Sequence, residues 1–125
     1  MNKRLLLIDD DETILFALKR YFEHAGYDVQ CARELEEAEA LVVCSVYDLV
    51  IIDLCLSPDC LNEGLQLIRF MQRHCPESRV IVLTASTAAA VEREAIRRGA
   101  HLFLQKPQPL ASIARCAHQL LGGAA

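Results

Sequence analysis

The sequence predicts an α/β fold, a three-layer sandwich in which a five-stranded parallel sheet is covered by helices on both faces. Unbroken apolar runs at 5–8, 49–52 and 80–83 are typical of strands buried on both sides. Between these runs lie longer segments in which apolar residues recur at helical spacing. Strands that alternate with helices favour right-handed crossovers and therefore a parallel sheet.

Five strands and five helices are expected in strict alternation. We expect strands at 5–8, 27–31, 49–53, 80–84 and 101–104. Asp10 or Asp11 can cap the first helix, and Gly26 ends it. The second helix is expected at 33–43, the third ends before Pro76, the fourth spans 87–98 and the last begins near Pro109.

The apolar spacing also predicts which helical residues face the core. In the first helix the expected residues are Ile14, Leu18, Tyr21 and Phe22, and in the second Leu35, Ala38, Leu41 and Val42. In the third helix they are Leu65, Ile68 and Met71, and in the last Leu110, Ile113, Ala117 and Leu120.

Composition limits the class of protein. A chain of 125 residues with 53% hydrophobic and 24% charged residues is expected to form one globular domain. No apolar segment approaches the roughly eighteen residues of a membrane span, and no signal peptide begins the sequence. We therefore expect a cytoplasmic location and no membrane partner.

The formal net charge of −4 argues against direct nucleic-acid binding by this domain, which would require a basic face. One basic cluster, Arg93, Arg97 and Arg98, is interleaved with acids and is interpreted as a solvated helix face. A patch that binds a partner is the alternative interpretation.

The six cysteines include no Cys-x-x-Cys pair and no paired Cys/His spacing, so a structural zinc site is not expected. Without a sign of export, reduced thiols are the expected state. Cys55 and Cys60 differ from the others because both fall in the loop that follows the third strand.

Polar side chains follow four of the predicted strands, at the point where each strand ends. Asp9 and Asp10 follow the first strand, Asp53 the third, Thr84 ends the fourth and Lys106 lies just past the fifth. Carboxyl ends of parallel strands meet at one edge of the sheet, where open α/β sheets bind ligands. Clustered carboxylates repel one another and require a proton or a cation. We therefore expect this edge to hold Mg²⁺ and Asp53 to accept a phosphoryl group.

Four short motifs resemble those of a known family. They are Ile8-Asp9-Asp10, Ile52-Asp53-Leu54, Leu83-Thr84-Ala85 and Gln105-Lys106-Pro107. In this order and spacing they resemble the receiver domain of two-component response regulators, the chemotaxis type of receiver. The resemblance implies a flavodoxin-like sheet of strand order 2-1-3-4-5, a receiver domain over residues 1–121 and a C-terminal tail at 122–125 consistent with the start of a linker.

The resemblance also implies a role for each site residue. Asp53 would be the phosphoacceptor, Thr84 would bond a phosphoryl oxygen and Lys106 would pair with it. The expected Mg²⁺ ligands are Asp10 directly, Asp9 mostly through water, Asp53, and the backbone carbonyl of Cys55. Phe103 would be the aromatic switch residue alongside Thr84, and the Lys106–Pro107 peptide bond would be cis.

The implied function is that of a signalling switch rather than an enzyme, because the chain would catalyse only its own phosphorylation and dephosphorylation. The phosphoryl donor would be a sensor histidine kinase or a phosphotransfer protein. Phosphorylation would change the face built by the fourth helix, fifth strand and fifth helix, which an output domain or downstream protein would read. A homodimer through the last helices is a further expectation from the resemblance.

The loop after Asp53 departs from the family pattern and leaves two alternatives open. Pro58 comes one residue late and Gly64 three residues late, so the loop is longer. One alternative is a degenerate receiver that acts only as an interaction module. The other is a Mg²⁺-dependent phosphatase with an aspartyl nucleophile, although Cys55 stands where such enzymes carry a second acid, and no cap domain is evident.

Overall fold

The structure, a computed structural model, describes residues 2–54, 61–85 and 89–122. Its strands are β1 (Arg4–Ile8), β2 (Asp28–Ala32), β3 (Leu49–Ile52), β4 (Arg79–Thr84) and β5 (Leu102–Gln105). Its helices are α1 (Glu12–His24), α2 (Leu35–Cys44), α3 (Leu61–His74), α4 (Ala89–Arg98) and α5 (Leu110–Leu120).

The five strands form one parallel sheet of order β2-β1-β3-β4-β5. The predicted fold class and strand order are therefore confirmed. In the register, Ile8 lies beside both Ala32 and Ile52, so β1, β2 and β3 end level with one another. Thr84 lies beside Gln105 at the ends of β4 and β5. The residues that follow these strands consequently emerge at one edge of the sheet.

The sheet is buried on both faces because its central strands are apolar at every position. All four residues of β3 are buried, and alternate strand residues face opposite layers. One face packs against α1 and α5 through residues such as Leu5, Ile51 and Leu83. The other packs against α2, α3 and α4 through residues such as Leu6 and Val82.

Helix α1 starts at the acid cluster, and its first residues show how the sequence sets its position. The Asp11 carboxylate accepts hydrogen bonds from the backbone N–H groups of Thr13 (2.9 Å) and Ile14 (3.3 Å), so Asp11 is the N-cap. At the other end, Gly26 has a φ of 97°, a conformation that glycine adopts without a Cβ clash.

The predicted inward face of α1 is partly wrong. Leu18 and Phe22 are buried as expected, but Tyr21 is 37% exposed and Leu15, which was not predicted, is 6% exposed. The core-facing stripe therefore follows the spacing 15, 18 and 22, and Ile14 lies at its margin. A tyrosine at position 21 is partly apolar, so it fits the apolar pattern of α1 even though it lies at the border of the buried face. Spacing alone therefore does not fix the orientation of the helix about its axis to within one residue.

The inward faces of the other helices agree better with the prediction. Leu65, Ile68 and Met71 of α3 are all buried. In α2 the buried residues are Leu35, Ala38 and Val42, and in α5 they are Ile113 and Ala117. Leu41, Leu110 and Leu120 are half-buried and border the core.

Several element boundaries differ from the predicted ones by one or two residues. Strand β3 ends at Ile52, which leaves Asp53 in the loop; β2 and β5 each lie one residue further along the chain than expected. The predicted start of the fourth helix at Thr87 lies outside the described residues. No helix in the described part of the chain is long and apolar enough to cross a bilayer.

Candidate functional site

Backbone hydrogen bonds beyond the strand ends position the site residues. The N–H of Asp9 donates to the carbonyl of Ala32 (3.1 Å), and the N–H of Asp53 donates to the carbonyl of Ile8 (2.9 Å). On the other side of the sheet, the N–H of Lys106 donates to the carbonyl of Thr84 (2.8 Å). The sheet's hydrogen-bond pattern thus extends by one residue and holds the backbones of the polar residues in place.

The carboxylates of Asp9, Asp10 and Asp53 converge. One carboxylate oxygen from each lies within 4.8 Å of those of the other two. Asp9 is 5% exposed and Asp53 is 7% exposed, whereas Asp10 is exposed. The two buried acids and the exposed one form a pocket that is open to solvent on the side of Asp10.

Lys106 forms ion pairs with both buried acids, Asp9 and Asp53. Its Nζ lies 2.7 Å from Oδ2 of Asp9 and 3.0 Å from Oδ2 of Asp53. The lysine side chain is 19% exposed, so this ion pair is largely removed from water and is screened less than a surface pair. Charge-assisted hydrogen bonds of this kind fix the ammonium between the two carboxylates.

Burial and charge change the proton affinity of this group. Burial raises the pKa of Asp9, against the opposing effects of the Lys106 ammonium and of the Asp11 N–H, which donates to Oδ1 of Asp9 (2.9 Å). Burial by itself would lower the pKa of Lys106, but the hydrogen bonds and negative charges of Asp9 and Asp53 outweigh it and raise that pKa. Lys106 is therefore held in its charged form.

The residues present fit a divalent cation. Three carboxylates with one ammonium leave two negative charges uncompensated when all four groups are ionised. A divalent ion would balance them, and Mg²⁺ in particular prefers hard carboxylate oxygens while retaining several waters. Because Asp10 is exposed, an ion held by these carboxylates would reach the solvent on that side.

The remaining described site residues lie on β4 and β5 or directly after β5. Thr84 is fully buried at the end of β4. Phe103 lies beside Val82 in the sheet and, half-buried, packs against the core under α2, α3 and α4. The peptide bond between Lys106 and Pro107 is cis.

Gly64 shows how closely α3 approaches the residue after Asp53. A Cβ added to Gly64 would lie 2.7 Å from Cδ2 of Leu54, which is fully buried. A glycine therefore allows α3 to pack directly against the backbone segment that follows Asp53.

Two predictions concern residues outside the described part of the chain or away from the pocket. Cys55, the expected carbonyl ligand, and the rest of the loop 55–60 lie outside the described residues. Two of the three arginines in the basic cluster on α4 have an acidic partner, because Glu94 pairs with Arg97 (3.3 Å) and with Arg98 (2.8 Å). This agrees with a solvated helix face.

One feature beside the pocket was not predicted. A largely apolar cavity of about 430 Å³ lies between α1 and α5 and reaches Lys106 and Pro107; Ile14, Leu83 and Ala85 also line it. Three separate stretches of the chain, within 14–18, 83–85 and 106–113, contribute to its wall, so no single stretch of sequence signals it. It offers an apolar surface within reach of the charged group.

The fold and the pocket together define a doubly wound α/β protein with an acidic cluster and a lysine at the carboxyl edge of its sheet. Residues 5–117 match the response regulator receiver domain family. The chain therefore belongs to the response regulator receiver domain family.

Individual relatives agree with this assignment. The chain is 36% identical over 104 residues to the alginate biosynthesis transcriptional regulatory protein AlgB of Pseudomonas putida, an alignment that covers 83% of this chain and 22% of that protein. The chain thus corresponds to about a fifth of that relative.

Two solved structures are also similar. A CheY-like receiver domain protein from Methanospirillum hungatei superposes with a TM-score of 0.91 at 24% identity, covering 98% of this chain and 96% of that one. The second is a response regulator from Burkholderia pseudomallei, solved with a phosphorylated aspartic acid, a calcium ion and citrate. It superposes with a TM-score of 0.85 at 31% identity, covering 98% of this chain and 70% of that one.

Proposed function

We propose that this chain is a phosphorylatable signalling switch that accepts a phosphoryl group on Asp53 from a sensor histidine kinase or a phosphotransfer protein. The observation that carries the proposal is the ion-paired arrangement of Asp9, Asp53 and Lys106 with Asp10 beside it. The phosphorylated aspartic acid in the Burkholderia relative supports it.

The described residues can perform the transfer as follows. A carboxylate oxygen of Asp53 attacks the phosphorus of a phosphohistidine, a P–O bond forms, the P–N bond breaks and its electron pair leaves with the imidazole. Lys106, held charged beside Asp53, then pairs with a phosphoryl oxygen, and the Thr84 hydroxyl donates a hydrogen bond to another. Phosphoryl transfer depends chiefly on such positioning and charge neutralisation.

Asp9, Asp10 and Asp53 would hold Mg²⁺, with the carbonyl of Cys55 as a further ligand. The bound ion supplies positive charge that stabilises the transferred oxygens. The ammonium of Lys106 alone leaves the cluster negative, so the transfer is expected to require the divalent ion.

The signal would leave the site through Thr84 and Phe103. If Thr84 moves toward the phosphoryl group, the space beside Val82 and the half-buried Phe103 changes, and the face formed by α4, β5 and α5 repacks. An output domain or downstream protein would read this face, and self-association through the same region is proposed on the family resemblance. Comparing the Phe103 ring orientation with and without a phosphoryl mimic tests this step.

The phosphoryl transfer itself is tested by incubating the protein with acetyl phosphate and MgCl₂ and measuring intact mass. The wild type should gain the mass of one phosphoryl group, and Asp53→Ala should gain none. Asp28→Ala, which removes an exposed acid at the opposite edge of the sheet, is the matched control and should gain it. Chelation of the metal should abolish the gain in the wild type and in Asp28→Ala.

The other outcomes identify the competing functions. Absence of any mass gain in the wild type would contradict the proposal and favour a receiver used only as an interaction module. Continuous release of phosphate from an aryl phosphate, with no retained phosphoryl mass, would favour the phosphatase.

A further inference from the structure

Asp10 differs from the other two acids of the cluster in how it is held. Asp9 and Asp53 are buried and paired with Lys106. The side chain of Asp10 is exposed, so its position depends chiefly on the backbone that carries it. That backbone is the segment 9–12, which joins the end of β1 to the first residue of α1.

Hydrogen bonds fix this segment on both sides of Asp10. The N–H of Asp9 donates to the carbonyl of Ala32, the last residue of β2 (3.1 Å). The Asp9 carboxylate in turn accepts a hydrogen bond from the N–H of Asp11 (2.9 Å). The residue before Asp10 is therefore attached to β2, and the residue after it is attached to Asp9.

An ion pair attaches the last residue of the segment to the connection between β2 and α2. Oε1 of Glu12 lies 2.6 Å from Nη1 of Arg33, which directly follows β2. The N–H of Arg33 donates to Oε1 of Glu37 in α2 (2.9 Å), so the backbone that carries the guanidinium is itself held. Both ends of the segment 9–12 are thus attached to the carboxyl end of β2 or to the residue that follows it.

This ion pair is suited to fixing local geometry rather than to stabilising the whole fold. The side chains of Arg33 and Glu12 are 59% and 70% exposed, and surface pairs contribute little to folding. The pair nevertheless completes a closed series of contacts that has Asp10 inside it. A ligand that is already in position loses less conformational freedom when an ion binds, so the site binds the ion more tightly.

We propose that Arg33 is a positioning residue for Asp10. Its ion pair with Glu12 fixes the segment 9–12 and thereby raises the affinity of the acid cluster for Mg²⁺. This inference rests on the proposed function, in which Asp10 is a direct ligand of the ion.

The test measures Mg²⁺ affinity of the unphosphorylated protein by following the amide resonances of residues 9–12 during a MgCl₂ titration at low ionic strength. Arg33→Gln and Glu12→Gln should each bind Mg²⁺ about three-fold more weakly. The backbone N–H of residue 33 can still donate to Glu37 in the first variant, so the loss is confined to the guanidinium.

The two substitutions separate positioning from simple electrostatics, because they change the net charge in opposite directions. By charge alone, Arg33→Gln would strengthen the binding of a cation and Glu12→Gln would weaken it. The double variant has the wild-type net charge, so charge alone predicts no change. Positioning predicts that the double variant also binds about three-fold more weakly, since the same interaction is lost only once.

Arg97→Gln is the matched control for Arg33→Gln. It removes the same charge and breaks another exposed ion pair, the one with Glu94 on α4, and it should leave the Mg²⁺ affinity unchanged. Urea denaturation without divalent ions should show that the variants of both pairs remain within about 1 kcal/mol of the wild type, so that a change in affinity reports on the site.

Three results would overturn the proposal. The first is a pair of opposite changes in Arg33→Gln and Glu12→Gln with wild-type affinity in the double variant, which would mean that these charges act only through their sign. The second is an unchanged affinity in all three variants, or an equal loss in Arg97→Gln; the proposed switch function would then stand without this inference. The third is an absence of Mg²⁺ binding by the wild type, which would remove the proposed metal site as well.

Discussion

Charged side chains are buried and paired at the carboxyl edge of the sheet, whereas several at the amino edge are exposed and unpaired within the described residues. At the carboxyl edge, Lys106 lies within 3.0 Å of two carboxylates that are almost fully buried. At the amino edge, Lys3, Arg115 and His118 are exposed and have no acidic partner among the described residues. Buried, paired charges hold one another in a fixed geometry, whereas exposed charges interact mainly with solvent and are screened by salt.

This contrast predicts that removing one cation has a large effect at the carboxyl edge. Lys106→Gln leaves the carboxylates of Asp9 and Asp53 facing each other without their counter-ion. Breaking a buried ion pair costs about 3–5 kcal/mol, and partial exposure of Lys106 lowers our expectation to about 2–3 kcal/mol. Urea denaturation without divalent ions measures this difference.

Magnesium should raise the free energy of unfolding of Lys106→Gln more than that of the wild type, because the acid cluster of the variant carries one more uncompensated negative charge. Repeating the denaturation in MgCl₂ provides the check. If Lys106→Gln unfolds at the wild-type urea concentration in both buffers, the ion pair does not stabilise the pocket.

The neighbouring acids Asp10 and Asp11 should separate function from stability at the same edge. Asp11→Ala removes the N-cap of α1 and should cost about 1 kcal/mol in the free energy of unfolding while retaining phosphorylation. Asp10→Ala should change stability little, because this side chain is exposed, yet prevent the Mg²⁺-dependent gain of mass. The reverse pattern would mean that Asp11 and Asp10 have exchanged roles.

A smaller, pH-dependent effect is expected at His101, which lies beside Arg79 at the amino edge. Burial, and then the charge of Arg79, lower the pKa of His101 from its ordinary value of 6.5. Its Nδ1 accepts a hydrogen bond from the Val80 N–H (3.0 Å), which a proton on that nitrogen would remove. At a pH between the pKa values of His101 in the folded and unfolded states, the unfolded chain binds more protons than the folded one. The stability that depends on a neutral His101 is therefore fully present above pH 6.5 and is lost as the pH falls below that value.

The pH dependence at His101 is tested by urea denaturation of the wild type and of His101→Gln from about pH 7.5 to about pH 5.5. The difference in the free energy of unfolding between the two proteins should become smaller as the pH falls, because only the wild type has an imidazole at position 101 that can take up a proton. Parallel curves would show that His101 does not contribute to the pH dependence.

The smallest effect is expected from Arg115→Gln, which matches Lys106→Gln in the charge removed. Arg115 is exposed and unpaired in the described part of the chain, so its free energy of unfolding should stay within about 0.5 kcal/mol of wild type. Urea denaturation of both variants under one condition tests the contrast. A loss at Arg115 as large as that at Lys106 would mean that Arg115, although exposed, is structurally coupled to the core.

The elements that could be predicted were those with a strong local pattern. The apolar run 49–52 forms β3 as expected, and Leu65, Ile68 and Met71 of α3 face the core at the predicted spacing. The acid cluster followed from the same logic, because parallel strands deliver their last residues to one edge. The phase of α1 could not be predicted to within one residue, since Tyr21 and Leu15 fit the pattern almost equally well.

The sequence by itself determined the order of strands and helices along the chain and the set of polar residues placed at the strand ends. Those properties depend on local periodicity and on the residues that stop it. Only the tertiary structure decided that Lys106 bridges Asp9 and Asp53, and that Lys3 shares a groove with Arg115 and His118. Lys106 is far from Asp9 and Asp53 in the chain, and distances of about 3 Å between their charged atoms depend on the packing of several elements at once, which no local pattern encodes.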